Sequence, residues 1–512
     1  MKKITLLCLI FFISEQAFSQ RDESITYANS ITSDDLKEHL NILASDALEG
    51  RETGKRGQKM AAAYIEYHFK SNGLEPIVYS PAGNSFLQSF ELVKSQPGKT
   101  WIKIDDITYT NFVDFVYTGK KNFTDPLKSK PLFIGEGDQE SYDAIHANGK
   151  NVLIYCEGDK IERKEKAELA YKQGVRNVFI IKPDSEDDFK KAVNMHKRYT
   201  TSGKLSFPPK PDEVESGYFL ISQSMGAKIL NTSQKILQNA VEKSRRGKYA
   251  SLLKLRSSEI TFYCRQIVEI INTENVLGFI EGSDIKDEYI ILTAHYDHIG
   301  VDGEEVNNGA DDDGSGTVAI LEIAQAFALA KKAGHGPRRS ILFMTLTGEE
   351  KGLLGSSYYV EHPILSLEST VANLNIDMIG RIDPSHEESP DYVYLIGSDK
   401  LSKELHELSE QINSTYTKLD LDYKYNAVDD PNRFYYRSDH YNFAKNNIPV
   451  IFYFNGTHAD YHKPTDTIEK IEFELLEKRA RLAFHTAWEI ANREDRITLD
   501  VIPEEIEINN SN

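Results

Sequence analysis

The sequence predicts an α/β protein, in which a mixed, mostly parallel central sheet is flanked by helices and interrupted by an inserted β-rich α+β unit. Three observations lead to this fold class. After about residue 265, short apolar runs alternate with helical patterns, which is typical of a sheet covered on both faces. Between about residues 100 and 265, the apolar runs are shorter and are separated by charged turns. Acidic residues and histidines stand just beyond the strands of the later region.

The chain opens with a predicted export signal. Two lysines precede an apolar stretch at residues 4–13, and small residues follow at Ala17 and Ser19. This arrangement predicts a signal peptide over residues 1–19, because polar residues end the apolar stretch before it could span a bilayer. We therefore expect a protein without a membrane span that is secreted across the inner membrane, either to the periplasm or to the medium.

The composition argues against several classes of function. A formal net charge of −19 makes the chain poorly suited to binding nucleic acid or anionic membranes. Beyond the signal peptide only Cys156 and Cys264 remain, and they could either pair or stay as two buried thiols. The chain is therefore not a disulfide scaffold, and its oligomeric state is left open.

Two helices are predicted within residues 31–73. Ser33 can cap the first helix, whose leucines recur at helical spacing. The second helix is expected over about residues 57–72, where Gly73 ends it. Its inward side chains are expected to be Met60, Ala61, Tyr64, Ile65 and Phe69.

The β-rich unit is predicted from four apolar runs, at residues 131–134, 151–155, 177–181 and 218–221. The polar, proline-containing stretch 183–215 is interpreted as an exposed excursion. The basic stretch 232–258 is interpreted as a solvated linker helix. This region contains no cluster of catalytic residue types.

The later region predicts the main sheet and its helices. Its strands are expected at residues 276–280, 289–294, 340–346, 371–376, 392–396 and 449–454, and its helices at 316–332, 401–412 and 473–492. Ile320, Ile323, Ala324 and Phe327 form the inward face of the first of these helices. The predicted domains are a discontinuous main domain (20–104 and 259–495), an insert with its linker (105–258) and a C-terminal tail (496–512).

Six acidic residues and histidines follow predicted strands or lie in connecting loops. Because ligands of open α/β sheets bind at the carboxyl ends of the strands, we expect these side chains to meet at one edge. Histidine nitrogen and carboxylate oxygen are ligands that suit zinc. The residues are His295, Asp312, Glu349, Glu350, Asp377 and His462.

Individual motifs suggest separate roles for the residues of the site. Strand alternation lets His295 and Asp297 point the same way, so that the Asp297 carboxylate could orient the imidazole. The acidic segment 310–316 also invites a calcium-loop interpretation, but it lacks the glycine that such a loop requires at its sixth position. Glu349 and Glu350 can act separately, one binding metal and the other accepting a proton from water. His298 and His458 are expected to be neighbours rather than ligands.

The order of these motifs resembles that of the co-catalytic zinc aminopeptidases, a family that also contains glutamate carboxypeptidase, glutaminyl cyclase and the transferrin receptor. Residues 30–100 and 260–490 carry the resemblance, and residues 149–154 and 174–179 are similar to a protease-associated domain. The matching motifs are Leu48-Glu49-Gly50-Arg51, His295-Tyr296-Asp297, Ala310-Asp311-Asp312-Asp313-Gly314-Ser315-Gly316, Gly348-Glu349-Glu350, Asp377, Ser438-Asp439-His440 and Tyr461-His462.

The resemblance implies two zinc ions and a role for each residue. Asp312 would bridge the ions, His295 with Asp377 would complete the ligands of one, and Glu350 with His462 those of the other. Glu349 would be the general base and then the general acid. Tyr461 resembles a residue that stabilises the oxyanion in some members, and the peptide after Asp312 is expected to be cis.

The resemblance therefore predicts a metalloexopeptidase that acts on peptides, an aminopeptidase before a carboxypeptidase or dipeptidase. Two alternatives from other classes stay open: a one-zinc glutaminyl cyclase and a non-catalytic binding protein, since fold does not imply function. Arg433 and Arg437 are cations that could serve a carboxypeptidase by binding a terminal carboxylate.

Overall fold

The structure is a computed structural model that describes residues 23–200, 203–210 and 217–501. The predicted signal peptide lies outside these residues, as does the predicted tail after residue 501. The described residues divide into two compact units. Residues 23–91 and 272–501 form the main unit, and the second unit lies within residues 92–271. In the described part of the chain, none of the helices is both long enough and apolar enough to cross a bilayer.

The elements of the described residues are numbered in chain order. The strands are β1 (Leu87–Pro97), β2 (Trp101–Ile104), β3 (Ile107–Thr110), β4 (Phe115–Tyr117), β5 (Leu127–Ser129), β6 (Leu132–Phe133), β7 (Asn151–Tyr155), β8 (Asn177–Lys182), β9 (Lys204–Ser206), β10 (Tyr218–Ser222), β11 (Ile260–Tyr263), β12 (Gln266–Ile280), β13 (Ile285–His295), β14 (Val301–Asp302), β15 (Glu305–Val306), β16 (Arg339–Leu346), β17 (Thr370–Ile376), β18 (Tyr392–Ile396), β19 (Asp420–Asp422) and β20 (Val450–Phe454). The helices are α1 (Ser33–Leu43), α2 (Arg56–Ser71), α3 (Gln139–Ala144), α4 (Lys160–Lys172), α5 (Glu186–Thr200), α6 (Gln223–Ile229), α7 (Gln234–Ser244), α8 (Gly316–Lys332), α9 (Leu354–Glu361), α10 (Lys403–Thr415), α11 (His440–Ala444) and α12 (Phe473–Asn492).

The main sheet has a parallel centre. Its strand order among the described residues is β19-β18-β20-β17-β13-β16-β12-β1-β9. Strands β20, β17, β13 and β16 run parallel to one another. Strands β18 and β12 are antiparallel to this group on its two sides. The predicted α/β class with a mixed central sheet is therefore confirmed.

Helices cover both faces of the sheet. On one face, α1, α2, α8 and α12 contribute to a single core with the strands. On the other face, Tyr359 of α9 and Phe443 of α11 pack in a separate core. All four side chains predicted to line the inward face of α8 are fully buried: Ile320, Ile323, Ala324 and Phe327. Burying a side chain the size of isoleucine or phenylalanine contributes about 1.5–3 kcal/mol.

Two local predictions near the N-terminus are wrong. Helix α1 is capped by Thr32, whose side chain accepts the N–H of Asp35, and Ser33 is already helical. Both residues can cap a helix, so the pattern alone did not choose between them. Met60 of α2 is 44% exposed, whereas Ala61, Ile65 and Phe69 are buried as predicted.

The second unit contains two small sheets in its described residues, with strand orders β4-β10-β8-β7-β6 and β3-β2-β11-β5. It begins earlier and ends later than residues 105–258, because β2 pairs with β11 across the predicted limits. Cys156 and Cys264 are buried and do not form a disulfide with each other. The likeness of this unit to a protease-associated domain stays a prediction.

Two segments of the second unit are more ordered than the sequence analysis predicted. The stretch interpreted as an exposed excursion contains α5, which buries Phe189 and Val193 one helical turn apart. The stretch interpreted as a solvated linker contains α7, which buries Leu237 and Val241 in the core of the unit. In both cases a few apolar residues at helical spacing outweigh the surrounding charges.

Candidate metal centre and active site

The parallel centre of the sheet brings the predicted site residues to one edge. His295 is the last residue of β13, and Asp377 directly follows β17. The register pairs Thr293 with Asn375, so His295 and Asp377 leave the neighbouring strands side by side. Glu349 follows β16 by a short turn, and β20 leads into the loop that carries His462.

The first group of donor atoms lies around His295. Its Nε2 atom is 3.3 Å from Oδ1 of Asp312 and 3.6 Å from Oδ1 of Asp377. Asp312 comes from the turn Ala310–Ser315 that opens α8. His295 is 1% exposed and Asp312 is 3% exposed. Three potential ligands from three elements therefore face one point.

The second group shares Asp312 with the first. Nε2 of His462 is 3.0 Å from Oδ2 of Asp312 and 3.0 Å from Oε2 of Glu350. The two carboxylate oxygens of Asp312 thus face two different groups of donors. The peptide between Asp312 and Asp313 is cis, as the resemblance implied.

Two buried carboxylate oxygens of the second group accept no hydrogen bond from the described residues. They are Oδ2 of Asp312 and Oε1 of Glu350, which lie 3.0 Å from Nε2 of His462 and 2.8 Å from Nδ1 of His298. A buried carboxylate oxygen without a partner is costly unless a cation satisfies it. The side chains present fit a metal ion, and their mixture of imidazole and carboxylate suits zinc.

The charges of the site are strongly coupled. Burial opposes protonation of His462, yet the carboxylates of Asp312 and Glu350 raise its pKa to about 10. Burial also opposes protonation of His295, but Glu349 and Asp377 raise its pKa well above the usual value. A cation that binds here competes with these protons, so its affinity rises with pH.

Glu349 is held differently from Glu350. Its backbone N–H donates to Oδ1 of Asp297 at 3.2 Å, and its Oε2 atom lies 3.9 Å from Nε2 of His295. Burial, and then the nearby carboxylates, raise the pKa of Glu349 well above its usual value. Its carboxylate stands close enough to His295 and Asp377 to be a further potential ligand.

Asp297 contacts its neighbours in an unexpected way. Its backbone carbonyl, rather than its carboxylate, lies 3.0 Å from Nδ1 of His295. The carboxylate is 3.9 Å from this nitrogen, and it accepts instead from the Thr53 hydroxyl at 2.6 Å and from the Glu349 N–H. The predicted orientation of His295 by the Asp297 side chain is therefore replaced by a backbone contact, because β13 ends at His295.

Tyr461 borders an open pocket beside these groups. Burial, followed by the charges of Asp312 and Glu350, raises the pKa of Tyr461, so its hydroxyl keeps its proton at neutral pH. Its ring stacks on that of His462 with centroids 4.0 Å apart. The guanidinium of Arg437 lies 3.4 Å from the Tyr461 hydroxyl.

The two histidines predicted to be neighbours lie close to the site. Nδ1 of His298 is 2.8 Å from Oε1 of Glu350, which groups it with the second set of donors. Nε2 of His458 is 3.2 Å from Oδ2 of Asp311, outside both sets. His298 therefore lies within the second group of donors, although the sequence analysis predicted it to be a neighbour rather than a ligand.

The sequence analysis missed the residues that hold the donors in place. Arg51 is 1% exposed, and its guanidinium donates to the carbonyls of Leu43, Tyr296, Asn308 and Gly309 at 2.6–2.9 Å. The buried carboxylate of Asp466 accepts the backbone N–H groups of Asp311 and Asp312. The Ser438 hydroxyl donates to Oδ2 of Asp377 at 2.6 Å. Arg51 and Ser438 lie in two of the motifs that carry the family resemblance, but the sequence analysis predicted no role for either residue.

The comparison with protein families agrees with this geometry. Residues 275–487 match the family described as peptidase family M28. The matched residues include strands β13 to β20 and all five proposed metal ligands. The family resemblance predicted from the motifs is therefore confirmed over these residues.

Known proteins match this chain over limited lengths. A probable leucine aminopeptidase of Trichophyton verrucosum is 30% identical over 212 residues, which is 40% of this chain and 55% of that protein. A probable glutamate carboxypeptidase of Arabidopsis thaliana, AMP1, is 40% identical over 119 residues, or 23% of this chain and 16% of that protein. The chain thus spans about half of the fungal relative and about a sixth of the plant relative.

A solved structure shares the fold over most of the chain. The aminopeptidase from Aneurinibacillus sp. strain AM-1 has a TM-score of 0.52 with this structure at 20% identity. The match covers 94% of this chain and 98% of that one. At this identity the likeness establishes the fold alone.

Proposed function

We propose that the protein is a secreted two-zinc aminopeptidase that removes residues from the N-terminal end of short peptides. The observation that carries the proposal is the position of Asp312, whose two carboxylate oxygens face separate groups of donors. A carboxylate placed between two such groups suits the two-metal sites of aminopeptidases. The match to peptidase family M28 and the likeness to a fungal leucine aminopeptidase support the same reaction class.

One zinc would be held by His295, Asp312 and Asp377, and the other by Asp312, Glu350 and His462. When bound, the two ions supply a nucleophilic water at neutral pH and polarise the scissile carbonyl. The protein fixes these ligands through short contacts with its backbone and side chains, such as that of Ser438 with Asp377. The ligands therefore need little rearrangement when metal binds.

Glu349 is the proposed general base. Its raised pKa favours holding a proton, and its position beside His295 places it next to the attacking water. Glu349 accepts the proton of this water and returns it to the leaving amine. The Tyr461 hydroxyl donates to the oxygen that becomes negative as the carbonyl is attacked. Asp297 supports this step by fixing the backbone of Glu349.

The N-terminal preference follows from charge. The pocket is lined by the carboxylates of Asp312, Glu349 and Asp377, which attract the free α-ammonium group of a peptide. A carboxypeptidase is the second candidate, because Arg437 lines the same pocket and could bind a terminal carboxylate.

One peptide in three forms tests the preference: free at both ends, N-acetylated, and C-terminally amidated. The zinc-loaded protein should cleave the free and amidated forms and spare the acetylated form, and a chelator should stop all cleavage. Cleavage of the acetylated form with sparing of the amidated form would show a carboxypeptidase. Elemental analysis should find two zinc ions per chain, whereas one would favour the glutaminyl cyclase alternative and none a non-catalytic binding protein.

A further inference from the structure

Among the described residues that line the pocket, Arg437 is the only arginine or lysine. The lining also includes the apolar side chains Met378, Phe434, Phe452 and Phe454, together with Tyr461. Three proposed metal ligands and Glu349 line the same pocket. The arginine is thus displayed toward the space in which a substrate would lie.

Arg437 is exposed, and its guanidinium contacts Phe434 as well as Tyr461. Its guanidinium carbon lies 4.9 Å above the ring of Phe434, a buried side chain at the start of the turn Phe434–Tyr436. Phe434 is tied down in turn, since its N–H donates to Oδ2 of Asp430 at 3.0 Å. The next residue, Ser438, donates to Asp377 at the proposed metal centre.

The guanidinium keeps most of its donors available. Within the described residues, Arg437 forms no ion pair with a carboxylate, and its guanidinium donates to the Tyr461 hydroxyl at 3.4 Å. By contrast, Arg381 forms an ion pair with Asp460 at 3.0 Å. A planar guanidinium with free donors binds carboxylates through two parallel hydrogen bonds.

We propose that Arg437 is a specificity residue that binds a carboxylate of the substrate close to the scissile bond. This inference rests on the proposed exopeptidase function and names its substrate class, peptides that bear an anion near the cleaved bond. The carboxylate has two possible sources, the C-terminus of a dipeptide and the acidic side chain of the N-terminal residue. Either source places the anion in the pocket that the proposed metal ligands also line.

Two matched pairs of substrates separate these sources. Leu-Ala and its amide Leu-Ala-NH2 differ in the terminal carboxylate, whereas Asp-Ala-NH2 and Asn-Ala-NH2 differ in the side-chain carboxylate. The kcat/KM ratio within each pair is measured for the zinc-loaded wild type, Arg437→Gln and Arg437→Lys. Arg433→Gln is the matched control, because Arg433 stacks on Tyr436 and does not line the pocket.

In one of the two pairs, the wild type should cleave the substrate that bears the carboxylate with the higher kcat/KM. Arg437→Gln should reduce the kcat/KM ratio of that pair about 10- to 100-fold, the range for a lost charge-assisted hydrogen bond. Arg437→Lys should reduce it less, and Arg433→Gln should leave it unchanged. The affected pair identifies the source of the carboxylate. Equal ratios in the wild type, or ratios that Arg437→Gln does not change, would overturn the inference. Failure of the wild type to cleave any of the four substrates would instead refute the proposed function.

Discussion

Arg51 should stabilise the backbone segments that carry the proposed metal ligands, and its replacement by methionine tests this role. The side chain donates to four carbonyls. The carbonyl of Gly309 also accepts from the N–H of Gly314, but the other three have no second hydrogen-bond donor among the described residues. Leaving three buried carbonyls unpaired, at a minimum of about 1 kcal/mol each, predicts a loss of about 3 kcal/mol. Since domains are stable by about 5–15 kcal/mol, the variant should still fold.

The unfolding of the main unit can be followed by itself. The chain has two tryptophans, so a Trp101→Phe background leaves Trp488 of α12 as the fluorescent reporter. Urea unfolding of Arg51→Met should show the predicted loss, and Arg51→Lys should show a smaller one. The exposed Arg56→Met is the matched control and should change stability by less than about 0.5 kcal/mol.

Arg51→Met should also weaken zinc binding, measured by competition with a chelator. Tyr296 separates His295 from Asp297, and Gly309 comes three residues before Asp312. Loosening both carbonyl contacts displaces two ligands of the proposed centre. Wild-type stability together with wild-type zinc affinity in this variant would refute the reasoning.

Two further predictions concern catalysis and acid stability. Glu349→Gln should keep both zinc ions and lose about 10²–10⁴-fold in kcat, as expected for a lost general base, whereas Glu350→Gln should lose zinc as well. Loss of zinc from Glu349→Gln in elemental analysis would make that residue a ligand. His485 contacts Ser24 and stacks on Tyr416, and its burial lowers its pKa to about 3. Below about pH 6.5 this side chain therefore takes up a proton in the unfolded chain but not in the folded one, so the stability falls as the pH is lowered further. The stability lost between pH 7.5 and 5.5 in urea unfolding should be about 1.4 kcal/mol smaller in His485→Gln, and an unchanged loss would contradict this assignment.

The sequence predicted the sheet, and the edge at which the proposed ligands meet, because both depend on simple patterns. Apolar runs located the central strands within a few residues, and parallel strands necessarily deliver their carboxyl ends to one edge. His295 and Asp377 were therefore predictable as neighbours from their places after β13 and β17. The positions of Asp312 and His462 followed from the family resemblance, since both lie in irregular segments.

The supporting contacts could not be predicted in the same way. A charged residue in a polar loop, such as Arg51, is normally solvated, and only the folded chain brings four carbonyls to it. The carbonyl of Asp297 replaces its carboxylate at His295 because the backbone turns where the strand ends, which strand alternation cannot foresee. Helix α5 had a usable signal in Phe189 and Val193, but the many charges around these residues concealed it.

The contact of Asp466 with the N–H of Asp312 joins positions 154 residues apart in the sequence. Closing a contact between such distant positions costs chain entropy, and non-local contacts of this kind slow folding. The turn around Asp312 and the loop of His462 depend on this long-range contact for their placement. During synthesis, the two donor groups can therefore be complete only after the ribosome has passed His462.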